Sequence, residues 1–205
     1  MLTVATLLWQ SNGKSRDFSR CYDETWVEKL YRGFRRNMTV PFRFIVYTDR
    51  AYEFQEPVFE IVNPVLGQGG YADCIRPYEI GGPMILCGLD TVIAGNVDHL
   101  AEYCLTAKRF ALPRDPYRLS RACNGVALVP AGHELIGTAH EGENDMEWVR
   151  KFPHRFIDDE FPGHVVSFKG TVEKRGLGDA RIVYFHGERK PHQLPNVQWI
   201  KEAWV

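Results

Sequence analysis

Apolar and polar positions along the chain alternate between two periods. Thr3 to Leu8 is a short continuous apolar run rich in β-formers, the pattern of a strand covered on both faces. A polar, glycine-containing stretch from Gln10 to Arg20 follows as a loop. Asp23 can cap a helix, with Glu24 in its first turn. Trp26, Val27, Leu30, Tyr31 and Phe34 then fall on one helical face, and Glu28, Arg32, Arg35 and Arg36 on the other, which reads as a solvated surface. Phe42 to Thr48 and Val58 to Val62 are two further strands, so the chain opens β-α-β-β, as an α/β domain does.

Beyond residue 62 the pattern is looser. Gly67-Gln-Gly-Gly70 marks a loop and Tyr71 to Ile80 a weak helix. Met84 to Leu89 is an apolar strand that runs straight into Asp90. Val97 to Tyr103 is helical, Phe110 to Leu119 is a polar, Pro-containing connection, and Ala122 to Val129 is a strand. His133 to His140 and Asp145 to Phe152 are helical. Val165 to Phe168 and Arg181 to Phe185 are short strands, and Gln198 to Trp204 is a last helical turn or two. The expectation is one α/β domain over residues 1–205, a central mixed, mostly parallel sheet flanked by helices. No repeat or linker divides it.

Composition narrows the classes. At 205 residues, 44% hydrophobic and 25% charged, the chain is an ordinary globular protein long enough for a sizeable core. Twenty-six acidic against 25 basic residues leave a net charge of -1, which gives no general attraction to nucleic acid or anionic lipid. No apolar run approaches the ~18 residues of a membrane span. Met1 to Trp9 lacks the basic start and cleavage site of a leader and reads as the first strand. Five cysteines with no C-x-x-C point to reduced, buried thiols and a cytoplasmic setting rather than a disulfide framework or zinc ribbon.

Two strand ends could carry chemistry. The segment Ile85 to Leu100 delivers Asp90 at the carboxyl end of a strand, where open α/β sheets bind ligands and where a carboxylate can hold a divalent metal. From spacing alone, a carboxylate that merely caps the turn is the plainer account. Val183 to His192 ends another strand in His186, Gly187 and Lys190: an imidazole able to ligate metal, a glycine that lets a ligand approach the backbone, and a cation for a phosphate oxygen. An exposed turn with incidental charges is the plainer account of that segment. Asn124-Gly125 before an apolar run and Asn144-Asp145-Met-Glu147 at a helix start need no function. Gly67-x-Gly69-x-x-Ala72 fits a dinucleotide pattern, with Asp90 eighteen residues on. Its context is poor, since Pro64 interrupts the approach and Pro77 the helix after it.

Taken in order, these segments resemble the GT-A glycosyltransferases, and among them the glycosyltransferase family 8 and glycogenin-like group. Pro41 to Asp49 resembles the family's nucleotide-binding half, and Met84 to Asp98 its strand with the D-x-D motif. Asn124-Gly125-Val126 resembles its F-N-[ST]-G-V segment, and Asn144-Asp145-Met146 stands where many members have G-D-Q. Phe161 to Lys169 resembles a P-x-x-x-x-S-Y-K element. His186-Gly187-x-x-Lys190-Pro191 resembles the closing H-G-x-x-K-P motif.

The resemblance implies a GT-A fold, with residues 1–100 as the nucleotide-binding half and 101–205 as the acceptor side. It implies transfer of a sugar from a nucleotide-diphospho-sugar, a UDP-sugar above all, with retention of configuration, to a glycan, lipid-linked sugar or protein acceptor. Manganese or magnesium would assist. Carried over residue by residue, it makes Asp90 and His186 metal ligands, and Gly187 and Lys190 diphosphate contacts. Asn124 and Asp145 become sugar- or acceptor-side groups, and Leu8, Trp9, Thr48, Asp49 and Leu89 the surroundings of the nucleotide, with Tyr22 a looser candidate. Three positions depart from the pattern: Gly88 stands where D-x-D has its first carboxylate, Met146 where G-D-Q has glutamine, and Tyr184 where some members place the metal histidine. These departures give weight to an alternative, a catalytically weak sugar-nucleotide-binding module of the same fold.

Overall fold

The structure is a computed structural model that describes residues 1–205. In chain order it contains β1 (Leu2–Leu8), α1 (Glu24–Asn37), β2 (Phe42–Thr48), β3 (Phe59–Val62), β4 (Met84–Cys87), β5 (Thr91–Ile93), α2 (Asp98–Thr106), β6 (Ala111–Leu112), β7 (Arg114–Asp115), β8 (Arg118–Ala122) and β9 (Val126–Val129). The remainder comprises α3 (Leu135–Thr138), α4 (Asp145–Val149), β10 (Arg155–Phe156), α5 (Ile157–Glu160), β11 (Val165–Ser167), α6 (Glu173–Arg175), β12 (Ile182–Tyr184) and α7 (Gln198–Ala203). No helix is long and apolar enough to cross a membrane.

Seven strands form the main sheet in the order β10-β6-β9-β4-β1-β2-β3. The pairs β1–β2, β1–β4, β2–β3 and β10–β6 are parallel, and β9 runs antiparallel to both β4 and β6. The mixed, mostly parallel α/β sheet expected from the sequence is therefore present. Its interior strand β1 is buried at all seven positions, which is why its sequence is apolar without alternation. Leu2, Val4 and Leu8 face one core and Ala5 and Leu7 the other.

The first core packs against α1. The Asp23 carboxylate accepts from the Thr25 N–H at 3.0 Å and starts the helix. Trp26, Val27, Leu30 and Phe34 bury its apolar face, each contributing about 1.5–3 kcal/mol of transfer free energy. The second core lies on the opposite face, under a run of 3-10 turns from Gly70 to Ile80 and under α3. That run replaces the weak α-helix expected there. Pro77 removes an N–H inside it, and the short turns tolerate this where an α-helix would not.

A smaller sheet, β11-β12-β5, adds a third core on Val92, Phe168 and Val183. Strands β5, β6, β7, β8 and β10 are additions to the sequence reading, which had Phe110 to Leu119 as a polar connection. Three of them are only two residues long, too short for any period to register.

Candidate functional site

Strand order explains where the site lies. From β1 the chain moves outward through β2 to β3, then returns to β4 on the other side of β1. The carboxyl ends of β1 and β4 thus diverge at a topological switch point, the place where open α/β sheets hold ligands. A cleft of about 430 Å³ opens there, half of its lining apolar.

Register then delivers the polar groups. Cys87 of β4 is opposite Val126 of β9, so Gly88 and Gly125 face each other across the cleft floor, with the Gly88 N–H donating to the Gly125 carbonyl at 3.1 Å. Both positions are close to neighbouring side chains. A Cβ on Gly125 would lie 3.2 Å from the Tyr184 ring, and one on Gly88 would lie 3.1 Å from Asp90 Oδ1. In the smaller sheet Tyr184 pairs with Thr91, and the Phe185 N–H donates to the Asp90 carbonyl at 3.0 Å. The end of β12, with His186 and Gly187, is thereby laid beside Asp90. Gly187 has φ +76° and open space around its Cβ direction.

Asp90 is the most heavily engaged of these groups. Its Oδ2 accepts from the Tyr22 hydroxyl at 2.9 Å and from the Lys190 ammonium. The Lys190 side chain is 2% exposed, against 15% for Asp90. The rings of Phe18 and Tyr22 lie 4.9 and 5.6 Å from the ammonium. Burial, the Asp90 charge and the Asp90 hydrogen bond together push the Tyr22 hydroxyl pKa up, so that it stays a donor. Lys190 is the one lysine or arginine lining the cleft, which also carries Asp115 and Asp145.

A second network stands on the other wall. The Tyr78 hydroxyl donates to Asn124 Oδ1 at 2.9 Å, and Asn124 Nδ2 donates to Asp145 Oδ2 at 3.1 Å. Asp145 is the first residue of α4, whose N-cap is Asn144. Burial raises the Asp145 carboxyl pKa, and the Asn124 amide pulls against it. His186 Nε2 lies 2.7 Å from Ser167 Oγ, and burial lowers the imidazole's pKa, which favours the neutral ring.

Of the residues singled out from the sequence, Trp9, Leu89, Asp90, Asn124, Asp145, His186, Gly187 and Lys190 all line this cleft. Three do not. Leu8 is buried in the α1 core, because strand alternation turns Leu7 and Trp9 toward the cleft and Leu8 away. Thr48 ends β2 and Asp49 follows it, one strand from the switch point. There Thr48 Oγ1 donates to Glu60 at 3.0 Å, and Asp49 accepts from the Gln10 N–H and the Tyr52 hydroxyl.

The sequence reading passed over Leu7, Phe18, Cys74 and Tyr117 as cleft residues. Only Leu7 had a usable signal, its i, i+2 relation to Trp9. Cys74 lines the cleft, but burial drives its thiol pKa up, so it is no activated nucleophile.

The expected divalent metal does not fit. Asp90 shares Oδ2 with a lysine ammonium, Gly88 supplies no second carboxylate, and His186 has Nε2 engaged by Ser167. No three His, Cys, Asp or Glu side chains are placed to hold an ion, so a hard cation, which needs at least one or two free carboxylates beside its waters and phosphates, finds no ready set here. The dinucleotide pattern fails too. The Gly67 and Gly69 N–H groups both donate to Asp73 Oδ2, at 2.7 and 3.0 Å, and are not free for a pyrophosphate. No family model matches the sequence, and no curated protein does.

Proposed function

We propose that the protein is a GT-A-type glycosyltransferase that moves a sugar from a nucleotide-diphospho-sugar, most simply a UDP-sugar, to an acceptor hydroxyl. The observation that carries this reading is convergence. Asp90, Asn124, Asp145, His186 and Lys190, scattered over a hundred residues, line one cleft at the switch point of the sheet, in the company the motif resemblance assigns them. Trp9 and Leu7 offer an apolar wall for the base and ribose. Gly187 lets a phosphate approach the backbone, and Lys190 supplies positive charge for the leaving diphosphate. Asn124 and Asp145 face the transferred sugar with one donor-acceptor pair.

In the transfer the bond from the anomeric carbon to the diphosphate oxygen breaks and its electron pair stays on phosphate. The acceptor oxygen bonds to the anomeric carbon, and its proton passes to the leaving phosphate. The test is a panel of sugar nucleotides, with UDP release and glycosylated product both followed. Asn124→Ala and Asp145→Asn are each expected to lower kcat/KM about tenfold or more while leaving UDP affinity within about twofold. Failure of every donor in the panel, with UDP itself bound, favours the second reading, a sugar-nucleotide-binding module without turnover. Met146 motivates that reading, since it lines the cleft where a polar side chain would contact the sugar.

A further inference from the structure

We propose, resting on the nucleotide reading above, that Lys190 takes the place of a divalent cation in this cleft, and that Asp90 holds the lysine until a diphosphate displaces it. Three observations carry the idea. The Lys190 ammonium is buried on Asp90 Oδ2, against the rings of Phe18 and Tyr22, so the site's positive charge is built into the chain. The position two before Asp90 is Gly88, which offers no carboxylate, and a Cβ there would lie 3.1 Å from Asp90 Oδ1 and press on the carboxylate that holds Lys190. The third is the donor set: no three His, Cys, Asp or Glu side chains gather to hold an ion, and the Asp90 carboxylate is already paired with an ammonium.

A carboxylate oxygen and a phosphate oxygen are interchangeable partners for an ammonium. Asp90 therefore occupies the position a diphosphate oxygen takes on binding. The Tyr22 hydroxyl, already on Oδ2, keeps the released carboxylate hydrogen-bonded. The exchange trades one charge-assisted bond of Lys190 for another and leaves Asp90 hydrogen-bonded but without its cation, which is the cost that the binding of the diphosphate must offset.

This makes a prediction opposite in sign to that of a metal site. Isothermal titration of UDP into the protein is expected to give the same Kd in manganese and in EDTA. Asp90→Asn, which removes the competing charge, is expected to tighten UDP by about threefold or more, whereas loss of a metal ligand would weaken it. Lys190→Met is expected to weaken UDP by about tenfold or more. Thermal melts without ligand establish that each variant is folded, and the metal comparison on the unaltered protein stands without them. Manganese-dependent binding overturns the proposal, as does UDP affinity that falls in Asp90→Asn or survives in Lys190→Met. Absence of UDP binding in both conditions is a different result, and it overturns the nucleotide reading underneath.

Discussion

Asp145 carries a stability signature of its own. Its carboxyl is 8% exposed and accepts from Asn124, yet burial prevails and its pKa is raised. A carboxyl whose folded pKa exceeds its unfolded one holds its proton longer in the native chain. Its contribution is full below the unfolded value and is lost as pH rises through the folded one. Asp145→Asn is therefore expected to melt higher than the unaltered protein at neutral pH, with the gap closing as the buffer approaches pH 4. Melts at a series of pH values decide it, and a gap independent of pH would contradict the assignment. Lys190 illustrates a different point. In the sequence it is one of 25 basic residues, and nothing in its neighbourhood marks it as buried. Its partner Asp90 is a hundred positions away, and only register in the small sheet joins them.

Among the elements, α1 is held by signals that are local. Asp23→Ala removes the cap and is expected to cost about 1 kcal/mol, lowering Tm by about 2–4 °C in a domain of this size. The packing of α3 on the 3-10 run is not local. An added Cβ at Gly137 would lie 2.6 Å from the Glu79 backbone nitrogen, so Gly137→Ala is expected to destabilise by about 1–3 kcal/mol. A melt within 1 °C of the unaltered protein would show that this contact yields easily. The same division governs what could be read in advance. β1, α1 and β2 were legible because each is long enough to show an apolar run or a helical period. The paired elements β6 and β10, and β7 against β8, were not. β6, β7 and β10 have two residues each, too few for a period, and they and the five-residue, largely polar β8 are strands only because a neighbour stands beside each.

For the molecule as a whole, a ligand that binds only the native chain raises its stability by mass action. UDP at a hundred times its Kd is expected to stabilise by about 2.7 kcal/mol, raising Tm by about 5–10 °C. EDTA alone is expected to leave Tm unchanged. An EDTA-induced fall would mean that the fold holds a metal after all. The two aspartate walls of the cleft, Asp90 with Lys190 and Asp145 with Asn124, are reached from strands and loops spread along most of the chain. The site is thus a product of the whole fold rather than of any one motif. Apolar runs and capping residues are local, and they suffice for the α/β class, the early strands and the candidate polar residues, because burial demands a pattern that neighbours along the chain must display. Which face of β1 reaches the cleft, why Thr48 and Asp49 lie outside it, and why Asp90 meets an ammonium instead of a second carboxylate depend on strand order and register. Those are fixed by contacts between segments far apart in the chain, and no local pattern encodes them.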